Sequence, residues 1–379
     1  MIDELKFSQI QSIRHLFSRL EATQPMCTAV LEGIYPGRVF VDDAGNPKSA
    51  LLTTFIEDPS RGTWGFLVGD LDNDAFNRSL NAAIFSRKII VPETPVLLLT
   101  CDPEDWGGHL PTVMAPRPPI WMPRWHFASR QVHYDWRTSL PEGFSVQPMG
   151  ESLLKQPDLE IPDDVRTTIE KWLSITNPQF QDYGFVTMDE TGHNPTIAGW
   201  ATVDFVAKGA GDLGFFTMPD YRRKGLGTIA AAAALEYGFQ HGLTRVNWTC
   251  DANNQASIHT AERLGLDRIE DYTMAMLVMD EAGHFGNLGY FALKVENFAL
   301  AVRSFDKALA LEPESPSYIY YEASQSAAMA GDPHKALEYL TQAVKRGWTD
   351  AVHARECQAF ASLHDFPEWE TLLNRMRKS

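Results

Sequence analysis

The chain is poor in cysteine, with only Cys27, Cys101, Cys250 and Cys357 among 379 residues. None is paired at the short spacings of a zinc site or a disulfide framework. The expectation is a set of reduced, packed thiols in a cytoplasmic protein without a structural metal. No stretch approaches the ~20 apolar residues that a membrane-spanning helix requires. The opening MIDELKFSQIQSI lacks the basic-then-apolar order of a secretory leader. Positive charge is also scarce: 33 Lys and Arg stand against 49 Asp and Glu, a net charge of −16. Outside the triplet Arg222-Arg223-Lys224 there is no basic stripe, so a nucleic-acid partner is not expected. An acidic surface favours cationic small molecules or basic partners.

The most informative stretch is Asp212 to Gly227, DLGFFTMPDYRRKGLG. Leu213–Phe216 is short, apolar and aromatic, as a buried strand should be, and Pro219 ends it because proline has no N–H for the ladder. Three cations follow, then Gly225-Leu226-Gly227, then Thr228-Ile229 and five alanines that begin a helix. Glycines permit close backbone approach, and unpaired N–H groups at a helix start attract negative charge. Together they describe a pyrophosphate socket. Gly225-x-Gly227-x-x-Ala230 also fits the dinucleotide fingerprint, with Asp251 downstream. In that motif, however, the strand runs almost directly into the first glycine, whereas six residues intervene here. A P-loop is excluded because no Gly-Lys-Ser/Thr closes the loop.

Arg222-x-x-Gly225-x-Gly227, set between strand and helix and preceded by Pro219-Asp220-Tyr221, resembles the acyl-CoA loop of the GNAT superfamily of N-acetyltransferases. Asn254-x-x-Ser257 and Leu264-Gly265-Leu266 resemble that family's asparagine-led helix and its closing Gly-Phe, with Leu for Phe. The resemblance implies an α/β (α+β) fold with a central mixed sheet and acetyl-CoA as cofactor.

The same succession occurs twice. Gly37–Val41, the turn Asp43-Ala-Gly-Asn-Pro47 and the strand after it form a hairpin; Phe185–Pro195 with Ile197–Phe205 forms another, with Gly-His-Asn-Pro in the turn. A third strand, Arg61–Val68, corresponds to Asp212–Phe216, Asn77–Arg87 reads as a helix and Pro95–Cys101 as a fourth strand. Two tandem copies of one fold are expected. In the first copy, acids at Asp70, Asp72 and Asp74 stand where the second has Arg-Arg-Lys, and these would repel a pyrophosphate. Pro116–Trp125 is too proline-dense for regular structure, and Ser129–Trp136 reads as a strand. From about residue 283, Phe285-x-x-Leu288-Gly289, Ala301-x-x-x-Phe305-x-x-Ala308 and Pro313, followed by Ala336-x-x-x-Leu340-x-x-Ala343 thirty-five residues on, fit a tetratricopeptide period. The organisation read is therefore a degenerate GNAT-like domain at 1–125, a catalytic GNAT domain at 126–280 and an all-α helical-repeat domain at 283–379. Over about residues 1–279 the arrangement resembles a tandem GNAT family that includes zwittermicin A resistance proteins. Its marks are Pro36-Gly37-Arg38-Val39 with Val41-Asp42-Asp43, Thr217-x-x-x-Tyr221-Arg222, and Cys250-x-x-x-Asn254-x-x-Ser257.

The resemblance assigns cofactor binding to Phe216, Thr217, Met218, Arg222, Arg223, Lys224, Gly225, Leu226, Gly227, Thr228, Asn254 and Ser257. It places the amide that polarises the thioester at Thr217 or Met218. Asp212 stands where relatives carry a Glu base, with Asp204 in reserve. The Tyr that serves relatives as acid is replaced by Ala261, leaving Ser257, Tyr272 or water. The function expected is transfer of an acetyl group to a primary amine of a small molecule, with a protein partner for the helical repeats. The rival is a CoA-binding sensor or scaffold.

Overall fold

The structure, a computed structural model, describes residues 2–55 and 62–377. Arg61, with which the third strand was expected to open, lies outside them. Twelve strands among the described residues form one sheet: β1 (Asp3–Leu5), β2 (Gly37–Val41), β3 (Ser49–Phe55), β4 (Thr63–Gly69), β5 (Val96–Asp102), β6 (Ile120–Ser129), β7 (Phe144–Pro148), β8 (Tyr183–Asp189), β9 (Thr196–Ala207), β10 (Ala210–Thr217), β11 (Arg245–Asp251) and β12 (Asp267–Val278). Their spatial order is β1-β2-β3-β4-β5-β12-β6-β11-β10-β9-β8-β7.

The order shows two copies of one strand succession joined by an exchange. β12 closes the second copy in sequence yet pairs with β5 of the first, and β6 pairs with β11 of the second. The exchanged strands also pair with each other. The boundary expected between residues 125 and 126 falls inside β6.

Two local expectations are corrected here. Residues 120–125 are strand, and the segment 130–135 read as strand is not. Pro123 is tolerated because the β6–β11 ladder ends at Arg124–Asp251. The Pro123 carbonyl accepts from the Ala252 N–H on the β11 side. A strand residue turns its carbonyl and amide to the same neighbour in an antiparallel pair, so the missing N–H faces that side, past the ladder's end, and costs β12 nothing. Ahead of the N-terminal helical segments, Asp3–Leu5 pairs with β2 as an edge strand.

One face of the sheet carries the helix Asp74–Phe85 over Leu51, Leu67, Leu99 and Leu277, and the helix Leu226–Gln240 over Leu213, Val246 and Phe127. Ala230–Ala234 are so small that the second helix lies close to the strands, and all five are buried. The opposite face is covered in three places. Helical segments between Ile10 and Leu31 cover β2 to β4, the helix Asp163–Ser174 covers β8 and β9, and C-terminal helices cover Ile120 and Met276. Between these covers the face is polar, carrying Asp212, Asn247, His126 and Arg124.

The region from Glu281 to Met376 is all helical. Glu281–Lys294 pairs with Phe298–Leu311, and Ser317–Met329 with Pro333–Lys345. Buried His284 clasps this region to the sheet: its Nδ1 accepts from the Val278 N–H (3.2 Å) and its Nε2 bonds the Pro118 carbonyl (3.0 Å). Burial holds this imidazole down to about 4, so it is neutral in that clasp. Gly289 lets the first helix pair close, since a Cβ there would meet the Phe305 ring at 2.8 Å. Gly289→Ala is therefore expected to destabilise the helical region by about 1–3 kcal/mol, checked by denaturant unfolding.

Candidate active site

The helix Leu226–Gln240 is entered through a left-handed turn, with Arg223 at φ 65° and Gly225 at φ 79°. The two glycines serve different ends. A Cβ on Gly225 would meet nothing within 4 Å, so the space before it is open, whereas a Cβ on Gly227 would lie 2.5 Å from Thr217 Oγ1 and 2.7 Å from the Phe215 ring. Gly227 is thus required for packing the helix start against β10. The first N–H groups of the helix have no partner in their own helix, and they open on a cleft of about 430 Å³. Phe215, Phe216, Thr217, Arg222, Arg223, Gly225 to Thr228, Asn254 and Ser257 line it. Lys224 is turned elsewhere, its ammonium 5.1 Å over the Tyr221 ring. Asn254 caps the helix Gln255–Arg263, its side-chain oxygen accepting from the Ser257 N–H at 3.2 Å.

Beside this cleft the sheet parts. β10 and β11 pair in parallel only from Ala210–Arg245 to Asp212–Asn247 and then separate. In the first copy the equivalent pair stays zipped from Thr63–Leu97 to Val68–Asp102. Only the second copy therefore has a gap between these strands. Residues facing one another in an antiparallel pair alternate between exchanging both main-chain bonds and exchanging none. The Met218 N–H donates to the Ala198 carbonyl at 2.9 Å, and Phe216 facing Trp200 continues that alternation. The amides of Phe215 and Thr217 consequently face the gap. Of the two residues expected to supply a polarising amide, Met218 is excluded, because its N–H is already used by β9.

Asp212 sits at the apex of the gap. Although part of its surface is accessible, protein surrounds the carboxyl, and burial, reinforced by Asp204 facing it on β9, pushes it up to about 8. A bond from the Met26 main chain and the charge of Arg245 oppose the shift without cancelling it. The reserve candidate Asp204 accepts from the Thr202 hydroxyl at 2.6 Å. Nearby Asp182 is held by the Phe205 and Val206 N–H groups at 3.0 and 2.9 Å and by the Tyr35 hydroxyl. Burial first, and Asp204 second, raise it as well.

Pairing across β10, β11, β6 and β12 sets Asp212, Asn247, Thr249, His126, Arg124, Glu270 and Tyr272 on one face. The His126 ring bonds Asn247 at 3.2 Å, Arg124 pairs with Asp251 at 2.5 Å, and the Tyr272 hydroxyl bonds Thr249 and Arg124. Burial raises the Tyr272 phenol above its ordinary value. Asp212 and Tyr272 thus share a face, while Ser257 stands apart. Its helix packs through Ile258 and Ala261 on the opposite side, and Ala261 offers no polar group. The sequence reading missed Arg124, His126, Asn247, Thr249 and Glu270. A signal existed: Arg124 and His126 alternate with Trp125 and Phe127, and Asn247 and Thr249 with Val246, Trp248 and Cys250, the period-two mark of a polar face on a central strand.

The GNAT acetyltransferase family matches this chain over residues 14–275. The chain belongs to that family. It is an acyltransferase, and GNAT acetyltransferases use acetyl-CoA. An uncharacterized N-acetyltransferase, YdfB of Bacillus subtilis, is 21% identical over 274 residues, covering 72% of this chain and 98% of the relative. A GCN5-related N-acetyltransferase-like protein of Streptococcus suis has a similar fold, with a TM-score of 0.51 at 20% identity, over 72% of this chain and 98% of that one. The glucosamine N-acetyltransferase region of a fungal multi-domain GH3 β-N-acetylglucosaminidase reaches a TM-score of 0.50 at 10% identity, over 73% of this GNAT chain and 38% of that protein. No helix among the described residues is long and apolar enough to cross a membrane.

Proposed function

We propose that this GNAT protein transfers an acetyl group from acetyl-CoA to a primary amine of a small molecule by direct attack of the amine. The observation that carries this reading is the gap between β10 and β11, with the Arg222–Thr228 loop at its mouth and Asp212 at its apex. The residues fit the cofactor: the left-handed loop, the open space before Gly225 and the helix-start amides suit a pyrophosphate. Two main-chain donors of β10 line the gap where a pantetheine arm would lie. When bound, acetyl-CoA supplies the thioester whose acyl carbon the amine attacks.

The remaining work falls to the chain's own groups. Arg222, Arg223 and the amides of Gly225 to Thr228 hold the diphosphate. The Phe215 and Thr217 N–H groups present fixed dipoles to the carbonyl oxygen, a preorganised stabilisation of developing charge. Asp212 takes a proton from the amine, directly or through one water. Tyr272 replaces the acid that Ala261 lacks, reaching the site from the exchanged strand β12. The C-terminal helices form a tetratricopeptide-like module that receives a protein partner, and the enzyme works in the cytoplasm.

Pure protein mixed with acetyl-CoA and a panel of amines is expected to release free thiol with at least one of them. Tight CoA binding without turnover on a broad panel would replace this reading with that of a CoA sensor.

A further inference from the structure

Two residues before the apex of the gap, the same face of the sheet holds a second cavity. It measures about 330 Å³ and lies between the starts of β10 and β11 and the N-terminal helical segment. Glu21, Thr28, Arg130, Lys208, Thr244 and Arg245 are among its lining residues. Two of the charges are already matched. Lys208 Nζ lies 2.9 Å from Glu32 and 3.6 Å from Glu21, and Glu21 is also paired with Arg14. Arg130 and Arg245 are different: neither forms an ion pair with a described residue, and the buried Arg245 Nε has no hydrogen-bond partner. Asp212 acts on Arg245 only at longer range. Two neighbouring guanidiniums, one desolvated, repel each other unless an anion joins them, and an arginine fork suits a carboxylate or phosphate best.

The position decides what that anion belongs to. Ala210 and Arg245 face one another one strand period before Asp212 and Asn247, so the cavity and the proposed base lie on one face about 7 Å apart along the strands. We infer that the cavity is the acid-binding end of the acceptor site, and that the acceptor is a small molecule carrying a carboxylate or phosphate as well as its amine. This assignment rests on the acetyl-transfer reading above. It adds a requirement that the reading by itself does not make.

The test uses the full chain saturated with CoA, so that the pyrophosphate socket is filled, and inorganic phosphate as probe. Calorimetry is expected to show phosphate binding that weakens about tenfold or more in Arg245→Gln, with CoA affinity unchanged. Arg130→Gln, at the exposed mouth, gives the same direction should the first variant fold poorly. Absence of phosphate binding, or binding indifferent to both substitutions, overturns the site. In turnover, amines bearing an acid group are expected to exceed their methyl esters about tenfold or more in kcat/KM, a preference lost in Arg245→Gln. Equal turnover of acid and ester with phosphate still bound at Arg245 makes the cavity a free-anion site and overturns the acceptor assignment. Phosphate binding without turnover of any amine removes the acetyl-transfer reading, and the acceptor assignment with it, while the anion cavity stands.

Discussion

Asp212→Asn is expected to lower kcat by about 10²–10⁴-fold, the usual worth of a positioned general base. The wild-type rate should climb as pH rises through about 8, because burial and Asp204 keep the carboxyl protonated below that value. The Asn variant should lose this limb of the profile. Thermal stability should move the other way. The folded value lies above the ordinary 3.8, so the native state holds a proton that the unfolded chain releases. That contribution is complete below the unfolded value and is lost as pH rises through about 8. Asparagine keeps an oxygen for the Met26 N–H without carrying the charge. The variant is expected to melt at a higher temperature than wild type at pH 9, with the gap closing as pH falls toward 4. A rate loss without this stability trend would show that Asp212 is not held in its acidic form.

If the loop holds the cofactor's diphosphate as proposed, Arg222→Glu is expected to weaken acetyl-CoA binding by about a hundredfold, since it would remove a charge-assisted phosphate contact and set a carboxylate before the helix start. The Arg222 side chain reaches back to the Thr217 carbonyl at 3.4 Å, across the cleft mouth. Calorimetry with CoA reads the effect directly. Lys224→Glu should cost much less, because that ammonium rests over the Tyr221 ring. Asp212→Asn should leave CoA affinity unchanged, which separates the cofactor end of the gap from its chemical end.

The loop was legible from sequence because its determinants are contiguous. A proline stops β10, positive-φ residues shape the turn, and alanines begin the helix within one stretch of chain. Both hairpins and the 35-residue helical period were readable for the same reason. The polar face was not, because it is assembled by strand order: Asp212, Asn247, His126 and Tyr272 lie far apart in the chain and meet only once β6 and β12 have crossed. Pro116–Trp125 misled because proline density is a local signal, whereas the tolerance of Pro123 depends on where a distant ladder ends. Likewise, Thr217 and Met218 could be told apart only by the phase of the β9 pairing.

The exchange of β6 and β12 has one more result. Severing the chain near residue 125 would strip the second copy of the strand wedged between β11 and β12, leaving two raw hydrogen-bonding edges beside Thr249 and Tyr272, so the two copies cannot be parted as separate domains.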